Sequence, residues 1–114
     1  MDSSQFDAID LIGVCFDGSG RVSGQSSAPA VLREAGLERA LKESAIVSPD
    51  ILVSKPSSAR GPHGLLNEHA LLEMVAAVHA RVRTAVTRGR FPVLYGADCA
   101  VLLGAVPALA DVLG

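Results

Sequence analysis

Ala8-Ile9-Asp10-Leu11-Ile12-Gly13-Val14-Cys15-Phe16 is an apolar run that stops at Asp17-Gly18-Ser19-Gly20. A short apolar run closed by a turn signal reads as a strand covered on both faces, the kind that parallel sheets are built from. Working outwards, Gly24 and Ser26-Ser27 prolong the loop, Ser27 is a good N-cap, and Pro29 is tolerated in a first helical turn. Val31, Leu32 and Ala35 then share one face of a short helix, Gly36 breaks it, and Leu37 to Leu41 adds a further turn. Residues 46–53 (IVSPDILV) form a second strand, in which Pro49 points to an edge or a late start. Ser54 to Gly64 is rich in Ser, Pro and Gly and is expected to be loop. Asn67 caps a long helix running to about Arg88, with Leu71, Val75, Val78, Val82 and Ala85 recurring at steps of three and four. Its acids, Glu68 and Glu73, come early; Arg81, Arg83 and Arg88 come late, which suits the helix dipole. Gly89 ends it. Residues 91–95 (FPVLY) are a third strand, Gly96 to Cys99 a turn, and Ala100 to Leu113 a last helix. The order β-α-β-α-β-α with right-handed crossovers gives a small parallel sheet with helices on its faces.

The composition narrows the function classes. The 114 residues are 49% hydrophobic and 19% charged, so a packed core is possible, but with 4% aromatics and no Trp it must be built from Ala, Val and Leu. The net charge is −2, divided as −3 over residues 1–57 and +1 over 58–114. Neither half has the basic excess that phosphate backbones demand, so we expect no nucleic-acid partner. Met1-Asp2-Ser3-Ser4 offers no basic or apolar leader, and the apolar stretch from Ala100 to Ala110 is too short for a bilayer and interrupted by Gly104 and Pro107. A soluble cytoplasmic chain without membrane contact, its two cysteines Cys15 and Cys99 reduced, is the expectation.

In an open parallel sheet, ligands bind beyond the carboxyl ends of the strands, where the strand order reverses. If the first and third strands are neighbours, Cys15, Asp17, Asp98 and Cys99 gather at that edge. Asp17 and Asp98 are therefore candidate functional carboxylates, with the plainer role of capping turns or helix starts open to both. Cys99 follows Asp98 at a strand-to-helix junction, where helix amides favour a thiolate that could bind a metal or act as a nucleophile. A small side chain filling a tight junction is the structural alternative. Gly18 to Gly24 spaces as G-x-G-x-x-x-G, one residue too long for a dinucleotide loop, and no acid follows the second strand. His63, His69 and His79 lack the three- or four-residue spacing of a metal pair on a helix.

Two stretches carry a family resemblance. Gly13-Val14-Cys15-Phe16-Asp17-Gly18, then Gly24, then Ala28-Pro29-Ala30-Val31-Leu32-Arg33-Glu34-Ala35-Gly36-Leu37 resembles the opening of arginases and agmatinases, where a Gly-rich loop leads into a Pro-x-x-Leu-Arg-x-x-Gly-Leu helix. The stretch from Gly89 to Gly104 is similar to that family's third strand and its Gly-Gly-Asp-His-Ser turn, with Ala97 at the second glycine and Cys99 at the histidine. The resemblance runs from about Ile9 to the C-terminus. It implies a three-layer α/β/α fold with a short parallel sheet of order 2-1-3, here an incomplete arginase-like domain spanning 1–114. It also implies a metal-dependent hydrolase of linear guanidino or amidino C–N bonds, in which two manganese ions bridge a hydroxide and act on a small guanidino-type substrate.

By that resemblance Cys99 stands at the first metal ligand's place, Asp98 supports it, and Asp17 is a further candidate. A thiolate there favours zinc or iron over manganese. The family's remaining ligands, an Asp-x-His-x-Asp motif and a later Asp-x-Asp pair, have no counterpart between Met1 and Gly114. We therefore expect no catalytic residue in this chain, inactivity by itself, and an open strand edge that favours a homo-oligomer. A non-catalytic binding or oligomerisation module on a degenerate ureohydrolase scaffold is the alternative, and a small thiol enzyme built on Cys99 a third.

Overall fold

The computed structural model describes residues 6–21, 24–41 and 43–114. The polar start Met1 to Ser4 and the loop residues Val22 and Ser23 lie outside the described residues. The elements follow in the order β1 (Ala8–Cys15), α1 (Ala28–Glu34), α2 (Leu37–Leu41), β2 (Ala45–Val47), β3 (Ile51–Leu52), α3 (Glu68–Thr87), β4 (Arg90–Tyr95) and α4 (Leu102–Leu113). Every strand pairs with β1, and every pairing is parallel. The hydrogen-bonded path runs β2-β1-β3, with β4 joining at β1. Ile9 to Leu11 have β2 on one side and β4 on the other, so the first predicted strand sits between the second and the third, as expected.

The predicted second strand, 46–53, is in fact two pieces. Leu11 pairs with Val47 and Val14 with Ile51, which leaves one extra residue on the β2–β3 side. Ser48, Pro49 and Asp50 fill that gap as a bulge. Pro49 has no N–H to give to a ladder, and a bulge is where a sheet tolerates it. Ser48 closes the gap by donating its N–H to Leu11 O (3.0 Å) and its hydroxyl to the buried Asp10 carboxylate, which also faces Arg90 at 3.7 Å.

Strand alternation sorts the β1 side chains into two layers. Ile12, Val14 and Phe16 face α3 and α4 and meet Met74, Val78, Val82, Ala105 and Ala108, all buried. Gly13 faces the other way, where a Cβ would lie 3.1 Å from Pro29 of α1. Helices thus cover both faces, which is the expected three-layer arrangement. Each large side chain in this cluster contributes roughly 1.5–3 kcal/mol through removal from water.

Three helical expectations shift in detail. The buried stripe of α3 runs through Ala70, Met74, Val78, Val82, Ala85 and Val86, so Leu71 and Val75 flank the core instead of centring it. Ser27 does occupy the N-cap of α1, yet its hydroxyl donates back to Gly24 O (2.7 Å) and caps nothing. The last helix begins with a 3-10 turn at Cys99–Val101 before α4 proper. Gly36 and Gly89 stop α1 and α3 with positive φ, as read from the sequence.

α4 approaches α3 unusually closely at Gly104, where a Cβ would sit 2.6 Å from Val75 O and 2.9 Å from Val78 Cβ. The opposite face of α4 is bare: Leu102, Leu103 and Val106 are exposed. Among the described residues β4 has no partner on its second edge, and Phe91 at its start is half exposed. The molecule measures 44 × 35 × 17 Å with a radius of gyration of 14.6 Å, against about 13 Å for a compact domain of this length. It is a slab with exposed apolar borders. No helix among the described residues is long and apolar enough to cross a membrane.

Candidate functional site at the carboxyl edge of the sheet

Because β1 and β4 are parallel neighbours, the loops that leave their carboxyl ends emerge side by side. The contact is direct. Asp98 Oδ2 accepts the Gly18 N–H at 2.9 Å, across 80 residues of sequence, while Asp98 Oδ1 accepts the Ala100 N–H at 2.9 Å and starts the 3-10 turn. A Cβ at Gly18 would meet the same carboxylate oxygen, so a side chain there would push Asp98 off this N–H.

Asp17 is buried, 4% exposed, and folds its own loop around its carboxylate. Oδ1 accepts the Ser19 N–H (2.8 Å) and hydroxyl (2.6 Å); Oδ2 accepts the Gln25 N–H (3.0 Å) and Arg21 Nε (3.2 Å). These donors, the Ser19 hydroxyl foremost and then its N–H, overcome the effect of burial and pull the Asp17 carboxyl from 3.8 to about 2. The folded state therefore binds this proton more weakly than the unfolded chain does. The resulting stabilisation is present above about pH 4 and is lost as the pH falls through the interval from 3.8 to 2. Urea midpoints measured across that range should decline, and Asp17→Asn should flatten this part of the decline.

Sequence reasoning assigned Asn67 only a capping role, and the structure gives it another. It holds a left-handed conformation (φ 53) and caps nothing with its side chain. Instead Nδ2 donates to Asp17 O (3.0 Å) and Oδ1 accepts the Ser57 N–H (2.8 Å), joining the loops after β1 and β3. Beside it Glu68, read from the sequence only as an early acid that suits the helix dipole, is buried. It receives His63 N (2.9 Å), Leu65 N (3.4 Å) and the His63 ring at Nδ1 (3.3 Å). Burial alone would raise the Glu68 carboxyl; the His63 ring and these backbone donors outweigh it and hold the group below the usual range. His63 itself is largely exposed, His69 faces Glu73 at 3.7 Å, and His79 faces Asp111 at 3.1 Å on the far side of the molecule. The three histidines do not converge.

A second network lies under the sheet. Arg33 of α1 binds Asp50 with both terminal nitrogens (2.8 and 2.9 Å) and donates to Tyr95 Oη (3.1 Å). Asp50, then Tyr95, push the guanidinium well above its ordinary value. Cys15 Sγ lies 3.7 Å from the same Asp50 carboxylate. Burial, then the Asp50 charge, raise the Cys15 thiol, which makes it a poor nucleophile. Cys99, by contrast, is exposed at the rim, and both thiols are free. An open cleft of about 420 Å³ lies beyond the carboxyl ends of β1 and β3, with Cys15, Asp17, Arg21, Val53 and Asn67 in its lining; neither Asp98 nor Cys99 borders it.

Ala97 adds one strained feature. Its φ is +61, in the left-handed region, at the position where the resemblance placed a glycine. A Cβ there costs about 1–2 kcal/mol, which the entropy of a glycine offsets in part. Ala97→Gly is expected to raise the unfolding free energy by up to about 1 kcal/mol, read as a higher urea midpoint at unchanged slope.

Among the described residues no three His, Cys, Asp or Glu side chains gather closely enough to hold an ion. Asp17 and Asp98 are already engaged by backbone and side-chain donors, which leaves Cys99 as a single outward donor. These residues do not fit a manganese pair.

This chain is a parallel α/β sheet covered on both faces, with carboxylate-bearing loops meeting at its carboxyl edge, and its fold is arginase-like. Its solved structural neighbours include the arginase of Bacillus caldovelox, which is 29% identical with a TM-score of 0.78 and matches 93% of this chain and 37% of its own. Two structures of Bacillus subtilis arginase, one from strain 168, superpose with TM-scores of 0.76 and 0.70 at 21% and 19% identity. They match 91% of this chain and 35% and 34% of their own. The chain thus spans about a third of the length of these arginases. No family model and no curated protein sequence matches it.

Proposed function

We propose that this chain is the N-terminal segment of an arginase-type metal-dependent hydrolase of guanidino or amidino C–N bonds, and that it is inactive alone. The observation that carries the reading is the Gly18–Asp98 contact. It joins the loops after β1 and β4 at the edge where open α/β folds do their chemistry, in a fold shared with arginases. Cys99 at the rim is the one residue here we would assign as a metal ligand, with Asp98 orienting its turn and Asp17 its neighbouring loop. A thiolate suits zinc or iron better than manganese. The other donors, and the residues that select a small guanidino-type substrate, would have to come from polypeptide beyond Gly114. The reading goes with a cytoplasmic setting in which both thiols stay reduced.

The test is a pair of assays for urea or ammonia release with manganese, zinc or iron(II) supplied. The 114-residue chain should give no turnover. A polypeptide continued in frame past Gly114 by its own coding sequence should carry Asp-x-His-x-Asp and should turn over. Activity from the short chain, or a continuation without such donors, would overturn the proposal.

The bare α4 face and the open β4 edge favour a second reading, a binding or oligomerisation module without catalysis. Both readings predict that the isolated chain self-associates, and light scattering of a clean monomer would contradict that. Metal analysis separates them: an ion bound stoichiometrically by the longer polypeptide and lost on Cys99→Ser favours the hydrolase.

A further inference from the structure

We infer that the carboxyl edge of this sheet is locked by the protein's own hydrogen bonds, with residues 17–18 as the hub of three loops, so that its shape does not depend on a metal. Groups around a metal site are oriented by hydrogen bonds from the surrounding protein, and here such bonds place both carboxylates. The loop after β4 reaches the hub through Asp98, whose two oxygens take the Gly18 and Ala100 N–H groups. The loop after β3 reaches it through Asn67, which donates to Asp17 O and accepts from Ser57 N–H. The loop after β1 is folded around the Asp17 carboxylate itself, both of whose oxygens are occupied.

Sterics reinforce the lock. Gly20 leaves no room for a side chain against the Ser57 carbonyl, and Gly18 lies directly under the Asp98 carboxylate, so the three loops are in van der Waals contact as well as hydrogen-bonded. Among the described residues no buried side-chain nitrogen or oxygen lacks a partner, so nothing at this edge waits for an ion to satisfy it. The ligand positions in a longer polypeptide would then be presented on a finished platform. This inference is separate from the proposed hydrolysis: it concerns the edge in the metal-free state and stands whether or not any longer polypeptide is an enzyme.

The experiment is hydrogen exchange read by mass spectrometry on the intact chain, first in EDTA and then with manganese or zinc chloride added. Segments containing Gly18, Gln25 and Ser57 should be protected in EDTA and unchanged by either metal. Asp98→Ala should speed exchange around Gly18 about tenfold or more, the loss of a hydrogen bond to a charged group, while α3 keeps its protection. Should Asp98→Ala fail to fold, Asp98→Asn keeps the shape and one acceptor and should expose the Gly18 or the Ala100 segment alone. Edge segments that exchange freely in EDTA and become protected only on adding metal would overturn the inference, as would an Asp98→Asn chain with both segments fully protected.

Discussion

Phe16→Ala is expected to lower the unfolding free energy by about 3–5 kcal/mol, a large part of the stability of a domain this size. Phe16 is the largest fully buried side chain, 1% exposed, at the carboxyl end of β1 beneath α3. Its truncation would remove aromatic surface from the core it shares with α3 and α4 and leave a cavity there. It would also loosen the hub next to it, since Asp17 follows directly and Asn67 hangs from the Asp17 carbonyl. Chemical denaturation monitored by far-UV circular dichroism should show the midpoint falling. A loss under about 1 kcal/mol would mean that Phe16 is not where the packing puts it.

The second large effect is Gly104→Leu, expected to cost at least about 3 kcal/mol, at the upper end of overpacking penalties. The clash is with backbone and with the body of a side chain: the first added carbon already meets Val75 O at 2.6 Å, Val78 Cβ at 2.9 Å and His79 N at 3.1 Å. α3 and α4 would have to separate, and Ala105 and Ala108 would leave the core with them. Leu103→Ala is the control, one residue away but 59% exposed, and should stay within about 0.5 kcal/mol. Equal effects from the two substitutions would refute the close helix approach.

Much of the frame was legible because periodicity is a local signal. The apolar run before Asp17 and the apolar FPVLY of 91–95 gave β1 and β4, but periodicity and crossover handedness left their adjacency open; the 2-1-3 order came from the family resemblance. That order is what made Asp17 and Asp98 readable as neighbours. Other features were illegible for physical reasons. The split of the second strand depends on the one-residue register offset against β1, which Pro49 hinted at but could not locate. The phase of α3 was misjudged because Met74, a flexible side chain that fills irregular gaps, outranks the leucine and valine beside it in burial. Arg33, Asp50 and Tyr95 pair across 17 and 62 residues, and no local pattern announces such a pairing. Asn67 was read as a cap because that is what Asn before a helix usually is. Its left-handed backbone turns the side chain away from the helix and into the hub.

The measurement closest to the central claim is a pair of electron-spin distances in a Cys15→Ser background, with labelled chains diluted in unlabelled ones. One label sits on the exposed Cys99, the other on Gln25→Cys or on Arg88→Cys. The account predicts that Cys99 lies nearer to position 25, whose N–H is bound by Asp17, than to position 88, from which the six-residue β4 separates it by about 20 Å. A distance from 99 to 25 equal to or longer than that from 99 to 88 would place the two loops at different ends of the sheet and contradict the site.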